Sequence, residues 1–369
     1  MPPDHLTYQI AFSSIRSLTP ELANAILDRI GSEERFFEIT ESQLSAAMGF
    51  KSRIFSDSFR AKALDEAVRE AAFVTSNSIS SIYFSDPLYP QRLLECSDAP
   101  LMLYGLGNCD LNDARFISIV GTRHATVYGN DFVDRLISDL AERLDDKLVI
   151  VSGLAYGIDI AAHRAALKHG IPTVAVLAHG LNTIYPAPHR ATAVEIVKSG
   201  GMLLSDYRSI DTVHRGNFLA RNRIVAGLCD CLVVAESGSR GGALVTARLA
   251  SGYNREVMAL PGRISDKYSL GCNALISSNI ASLLSSADDL IAMMGWKTKE
   301  TEGEQKELFV TLTPEEEAIL EVMTQKGDVV INDLTARIDI PVARLMALLI
   351  DMEFRSLIVH IPGGRYRKR

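Results

Sequence analysis

The sequence predicts an α/β fold, a Rossmann-like parallel sheet flanked by a small N-terminal helical domain and a C-terminal winged helix. Three observations carry this reading. Apolar runs alternate with helical stretches between residues 79 and 291. Residues 5–73 show helical periodicity and almost no strand signal. The last 62 residues hold three helical stretches and a hairpin.

The N-terminal segment comes first. LTPELANAILDRI offers Thr19 as a cap, Pro20 at the first helical position and an apolar stripe of Leu22, Ile26 and Ile30. FRAKALDEAVREAAF is a second amphipathic helix. A domain over 1–75 is expected, of the SAM or helix-hairpin-helix kind. Its 9 basic and 16 acidic side chains through residue 114 favour a structural or protein-contact role over DNA binding.

The central segment, 76–295, supplies the sheet. Candidate strands are FISIVG (116–121), LVIVSG (148–153), TVAVLAHG (173–180), MLLSDY (202–207), CLVVAE (231–236) and EVMALPG (256–262), with a short one near 281–284. Continuous apolar strands separated by helices mean a parallel sheet covered on both faces. The stretch WKTKETEGEQKE, 296–307, is charged and poor in apolar residues, which reads as a linker. In 308–369, Thr313 and Glu316 stand at capping-box spacing with Pro314 between them. LIVHI, the turn PGG and RYRKR close the winged helix.

The 369 residues are 47% apolar, ample for a sizeable core. No apolar run is long enough for a membrane span and MPPDHLTYQI does not read as a secretory signal, so a cytoplasmic protein is expected. Of the five cysteines, Cys229 and Cys231 are the closest pair, and they read as small buried hydrophobes. The net charge of −7 is unevenly spread. Residues 115–295 carry 18 basic and 16 acidic side chains, and 208–263 sets eight arginines against four acids. A basic strip on an acidic protein is compatible with nucleic acid, because phosphate responds to the local field.

In an open parallel sheet, ligands bind at the carboxyl ends of the strands. Three such ends carry glycine. They are Gly121-Thr122-Arg123, then Ser152-Gly153, and finally the run from Ser237 through Arg240, Gly241 and Gly242, which opens a helix. Glycine lets a ligand approach the backbone, and helix N-termini attract anions. Tight strand-to-helix turns alone would explain any one of them. Three on one rim point to an anion site. The dinucleotide fingerprint and the P-loop are both absent. No metal-ligand spacing stands out and no cofactor is expected. Asp159 and His163 share a helix face, as an acid/base pair or, more simply, as a buried histidine holding that helix to the sheet.

The densest feature is RGNFLARNRIVAGL. Arg215, Arg221 and Arg223 can meet phosphates, and Phe218 can offer a face to an unstacked base, the combination that suits single-stranded nucleic acid. Asn222 suits backbone or capping contacts. A buried Phe218 with arginines left in solvent fits the local pattern equally well.

These residues resemble the DprA/Smf (DNA-processing protein A) family. The matching blocks are Tyr89 to Leu93, Asp98 to Gly107, Ile119 to Arg123, Ser152 to His163, Tyr185-Pro186, Phe218 to Leu228, Val234 to Glu236, Thr246-Ala247 and Pro261 to Arg263. The resemblance implies an extended Rossmann domain that binds single-stranded DNA without cleaving it. It also implies protection of incoming strands in natural transformation, help in loading the RecA recombinase, and a homodimer built through the late Rossmann region. Arg123 matches the family's phosphate-binding arginine, Phe218 its base-stacking aromatic and Arg215 a basic position three before it. The chain departs at Gly241, where relatives often carry serine, and at Ala187, where they are often basic.

Two rivals remain. Lonely-guy-type phosphoribohydrolases share the general fold but need P-G-G-x-G-T-x-x-E, which neither Pro261-Gly262-Arg263 nor Pro362-Gly363-Gly364 continues. A transcription factor would work through the winged helix, whose PVARLMALLIDMEF carries one arginine against two acids, a weak DNA reader.

Overall fold

A computed structural model describes residues 3–15, 18–144, 147–299, 312–355, 357–361 and 365–368. Two compact units divide the chain, Met1–Glu300 and Thr301–Arg369.

The first unit begins with five helices, α1 (His5–Ser13), α2 (Pro20–Ile30), α3 (Glu33–Glu38), α4 (Glu41–Met48) and α5 (Asp57–Ser76). Thr19 caps α2 through the Leu22 amide, with Pro20 at its start as the sequence predicts. The buried stripe of α2 is Ala23, Ile26 and Ile30, whereas Leu22 is exposed one position off that face. Arg60 on α5 is buried and donates to the carbonyls of Phe36, Ile39 and Phe55, so one side chain satisfies three loop acceptors.

The sheet follows. Its elements are β1 (Ser80–Tyr83), α6 (Gln91–Leu94), β2 (Met102–Gly107), β3 (Arg115–Gly121), α7 (Val127–Arg143), β4 (Leu148–Ser152), α8 (Ile158–Lys168), β5 (Thr173–Val176), α9 (Arg190–Lys198) and β6 (Met202–Ser205). Then come α10 (Arg215–Gly227), β7 (Cys231–Glu236), α11 (Gly242–Gly252), β8 (Glu256–Ala259), α12 (Leu270–Ser277), β9 (Ser282–Leu283) and α13 (Ala287–Met294). The nine strands run in the order β1-β2-β6-β5-β4-β3-β7-β8-β9. From β6 to β9 all pairs are parallel, while β1 and β2 extend the β6 edge in antiparallel fashion. The first two strands are absent from the sequence reading.

Alternate residues of each strand enter opposite cores. Val149 and Val151 of β4 face one side with α10, α11 and the N-terminal helices, and Leu148 and Ile150 face the other with α7, α8 and α13. The first of these cores runs unbroken from Ile10 and Phe12 to Tyr104 and Val176, so residues 3–76 and the sheet share one interior. Across that junction Arg208 pairs with Glu66 at 3.1 Å, and the Ser209 amide donates to Glu70. All the cysteines are free and four of the five are buried, Cys229 and Cys231 among them.

Strand order fixes where a ligand can sit. From β3 the chain winds outward through β4, β5 and β6, then returns to the other flank of β3 as β7 and winds out through β8. The connections after β3 and β7 therefore diverge and leave a crevice at their carboxyl ends.

The second unit has α14 (Pro314–Lys326), β10 (Val329–Val330), α15 (Ile331–Thr335), α16 (Val342–Phe354), β11 (Ile358–Ile361) and β12 (Arg365–Lys368). Three helices against an antiparallel sheet of order β10-β12-β11 form a winged helix with its own core, Leu345, Leu349 and Met352 included. Thr313 and Glu316 form the capping box. The basic RYRKR is no free tail. It supplies the middle strand, Tyr366 is buried, and Arg367 pairs with Asp328. The PGG turn, residues 300–307 of the expected linker and residues 308–311 after it lie outside the described residues. The linker's first residues do not hang free, since Arg115 lies over the Trp296 ring and Lys299 donates to the Ala141 carbonyl.

Candidate nucleic-acid interface

A cavity of about 850 Å³ opens at the β3/β7 crevice. Gly121, Thr122 and Arg123 line it from β3, Gly153 and Asp159 from the β4–α8 turn, and Gly238 to Gly242 from the β7–α11 turn. One face of α10 closes it, with Arg215, Phe218, Leu219 and Asn222. Helical geometry explains the selection. At 100° per residue these four fall within about a third of a turn, whereas Arg223 projects to another side.

The three glycine turns differ in what they leave open. At β4–α8 the chain fills the turn itself, because the Asp159 carboxylate accepts the Ala155 amide and the Thr122 carbonyl accepts the Ile158 amide. Gly157 there has φ +76, and a Cβ would strike the Thr122 carbonyl, so glycine is obligatory for packing. At β7–α11 no side chain caps the helix and Gly241 is the N-cap. The Leu244 amide donates to the Gly241 carbonyl, which leaves the amides of Gly242 and Ala243 open to an anion at a helix end that favours negative charge. A side chain at Gly241 would press its Cβ against the Ser237 hydroxyl, so glycine keeps this turn tight as well as open.

Among the described residues, Arg123, Arg215 and Arg240 line the cavity exposed and without an ion-pair partner, and Lys267 joins them. The Arg123 guanidinium carbon sits 5.7 Å from the centroid of Phe218. Phe218 is half-buried rather than in the core, and Tyr185 meets it edge-on at 5.7 Å with rings tilted 64°. The Tyr185-Pro186 bond is cis. Also lining the cavity, His124 stacks on Tyr268 at 6.3 Å, and Lys267 covers that ring at 5.3 Å.

Three sequence-predicted residues lie elsewhere or are spent. Ser152 is fully buried and its hydroxyl donates to the Ile119 carbonyl, tying two strands together, so it cannot meet a ligand. Arg221 lines the cavity floor but is buried, donating to the carbonyls of Gly153 and Val176. Burial pulls its pKa down and Asp159 opposes that shift. Arg223 points away from the cavity, pairing with Asp206 and donating to the Asp98 carbonyl. Asn222 remains on the cavity wall beside Gly242.

Asp159 is buried, which raises its carboxyl pKa against the pull of Arg221. His163 is fully buried, with Nδ1 2.7 Å from the Thr173 hydroxyl on β5. It does not line the cavity, so it holds α8 to the sheet. Glu236 accepts from the Thr126 amide and hydroxyl and anchors the start of α7. Among the described residues no cluster of three or more His, Cys, Asp or Glu could hold a metal. Sequence reasoning assigned no binding role to Tyr185, His124, Lys267 or Tyr268. The Tyr-Pro pair and the Lys-Tyr pair after Arg263 were the available signals.

A family model for DNA recombination-mediator protein A matches residues 80–295. DNA processing protein DprA of Streptococcus pneumoniae is 40% identical over 207 residues, 56% of this chain and 71% of that protein. The X-ray structure of the S. pneumoniae protein superposes with a TM-score of 0.64 at 32% identity, over 78% of this chain and 97% of that one. DNA processing protein A of Helicobacter pylori, whose structure was described for its single-stranded DNA binding mode, gives a TM-score of 0.52 at 29% identity, over 58% and 95%.

Proposed function

This chain belongs to the DNA recombination-mediator protein A family, and we propose from that premise that it binds single-stranded DNA without cleaving it. It protects incoming strands in natural transformation and helps load the RecA recombinase. The observation that carries the reading is the Arg123–Phe218 contact on the wall of an uncapped helix N-terminus. A cation and an aromatic face side by side suit a phosphate and an unstacked base of the same nucleotide.

The DNA-binding set in this proposal is Gly121, Thr122, Arg123, Gly153, Arg215, Phe218, Asn222, Arg240, Gly241 and Gly242. Arg240 and the α11 amides take one phosphate, and Arg123 with Arg215 takes the next. A homodimer through 256–285 belongs to the same reading, because β9 is a sheet edge whose Leu283 is half exposed. No described helix is long and apolar enough to cross a membrane.

Anisotropy titration with labelled single- and double-stranded oligonucleotides at several salt concentrations tests the proposal. Preference for the single strand with a steep salt dependence is expected. Equal affinity for duplex, or none for either, overturns it.

A further inference from the structure

Helix α16 of the winged-helix unit has two apolar faces. Leu345, Leu348, Leu349 and Met352 are buried in the unit's own core. The opposite face carries Ala343, Met346, Ala347, Ile350 and Phe354, all exposed, with Ile350 at 51% and Phe354 at 87%. Ala343, Ala347, Ile350 and Phe354 are spaced four, three and four apart, the spacing of a helix–helix seam. A solvated helix face carries polar residues there. On this one the charged side chains flank the stripe, Arg344 and Asp351 together along one edge and Glu353 along the other.

We propose that this stripe is a self-association surface, on which α16 packs antiparallel against α16 of a second copy of the chain. The stripe is complementary to itself. About a two-fold axis between Ala347 and Ile350, Ala343 of one copy faces Phe354 of the other, and Ala347 faces Ile350. Each small residue receives a large one, which is what close helix packing needs. The same operation sets Arg344 alongside Asp351 of the second copy, and does so twice. Both now engage solvent-exposed partners within their own chain, Glu315 at 2.9 Å and Arg355 at 3.1 Å. Exposed pairs of this kind exchange at little cost.

The stripe also explains why a helix in the DNA-reading position of a winged helix carries a single arginine. Its outward face is built for an apolar partner. The contact of two such short helices falls at the low end of specific interfaces, below about 1,200 Å² in total. It is therefore weak by itself and gains from any tether that already holds two chains together. This interface is separate from the β9 sheet edge.

Sedimentation of the second unit alone, residues 308–369, at several hundred micromolar tests the proposal free of the β9 pairing, since this unit has its own core. The wild-type unit is expected to run as a dimer, and Ile350→Asp, which puts a charge in the seam, as a monomer. Arg344→Glu and Asp351→Arg, both at exposed positions, are each expected to lower the mass, and the double exchange to restore it, because only a self-pairing surface reunites both reversed charges. An unchanged mass in Ile350→Asp overturns the proposal. So do single reversals that weaken association without rescue by the double exchange, which would mean that Arg344 and Asp351 do not meet across the seam.

Discussion

The guanidinium of Arg123 stands over the ring of Phe218, with 5.7 Å between its central carbon and the ring centroid. The two come from different elements, the β3 turn and α10, so each orients the other across the crevice. Phe218 also meets Tyr185 edge-on, and the charge of Arg123 acts on the buried Asp159 carboxylate of the cavity floor. A ligand that engages one therefore meets the other already positioned.

Arg123→Ala is expected to weaken single-strand binding by about 1–3 kcal/mol, the loss of a charged hydrogen bond. The salt dependence should flatten as well, since fewer counterions are released. A double-mutant cycle with Phe218→Ala should give a coupling energy of at least about 0.5 kcal/mol, the lower end for residues in contact. An intact salt slope in a folded variant would remove Arg123 from the phosphate set.

Arg215→Ala and Phe218→Ala should separate by mechanism. Arg215 is exposed at the first turn of α10, so its loss lowers the salt slope. Phe218 is half-buried, and its loss removes roughly 1–3 kcal/mol of stacking while the slope stays. Isothermal titration at three salt concentrations reads both. Unfolding of the Phe218 variant would return that ring to the core.

Arg221 and Arg223 stand two apart in sequence and should behave oppositely to a reading that groups them with Arg215. Arg221→Ala leaves Asp159 buried without its cation and strips the Gly153 and Val176 carbonyls, so a loss of about 3–5 kcal/mol of stability is expected in urea. Arg223→Ala should leave DNA affinity unchanged, because its partners Asp206 and Asp98 lie off the cavity. A DNA defect in Arg223→Ala with normal stability contradicts this placement.

Acid should destabilise the chain through His163. Burial first, then Arg221 and His189, push this imidazole down to about 3 from 6.5. Below pH 6.5 the unfolded chain takes up a proton that the folded chain refuses until about pH 3. Stability is therefore whole above pH 6.5 and falls by about 1.4 kcal/mol per pH unit beneath it. Asp159 acts in the opposite sense, since its raised pKa makes the folded chain bind a proton more readily than the unfolded one. His163→Gln should flatten the acid slope and Asp159→Asn should steepen it, as read by urea melts from pH 7 to pH 4.5. The same slope in all three chains would contradict the linkage.

The strands buried on both faces were legible because burial writes itself as an uninterrupted apolar run, as in FISIVG and LVIVSG. Strands β1 and β2 were not, because they form the edge where the sheet turns antiparallel, and Gly105 and Gly107 dilute the apolar signal of β2. The crevice was legible from glycines at strand ends. The spent state of the β4–α8 turn was not, since it depends on Asp159 folding back onto the Ala155 amide. Within RGNFLARNRIV, residue type alone grouped four cations and aromatics that helical rotation then separates. Arg215, Phe218 and Asn222 share a face, and Arg223 leaves it. Tyr268 lay in a loop with no periodicity to read, so only the fold brings it to His124.

The first unit should carry DNA binding without the second. The cut belongs after residue 299 and not also at 76, because removing the N-terminal helices would bare the core that Ile10 and Phe12 share with Tyr104 and would break the Arg208–Glu66 pair. A chain of residues 1–299 keeps the exposed Arg123, Arg215, Arg240 and Lys267, the Phe218 face and the uncapped α11 amides. Of the cations in RYRKR, Arg367 pairs with Asp328, whose carboxyl also feels the charge of Arg365, and Lys368 reaches Thr324. Little attraction for phosphate is lost with that strand. Full-length protein and 1–299 should therefore match within about threefold in single-strand affinity at fixed salt, a difference under about 0.7 kcal/mol. Duplex should bind both weakly, because paired bases hide the faces that Phe218 would stack on. Should 1–299 fold normally and lose single-strand binding, the interface would have to be moved from the β3/β7 crevice to the winged helix.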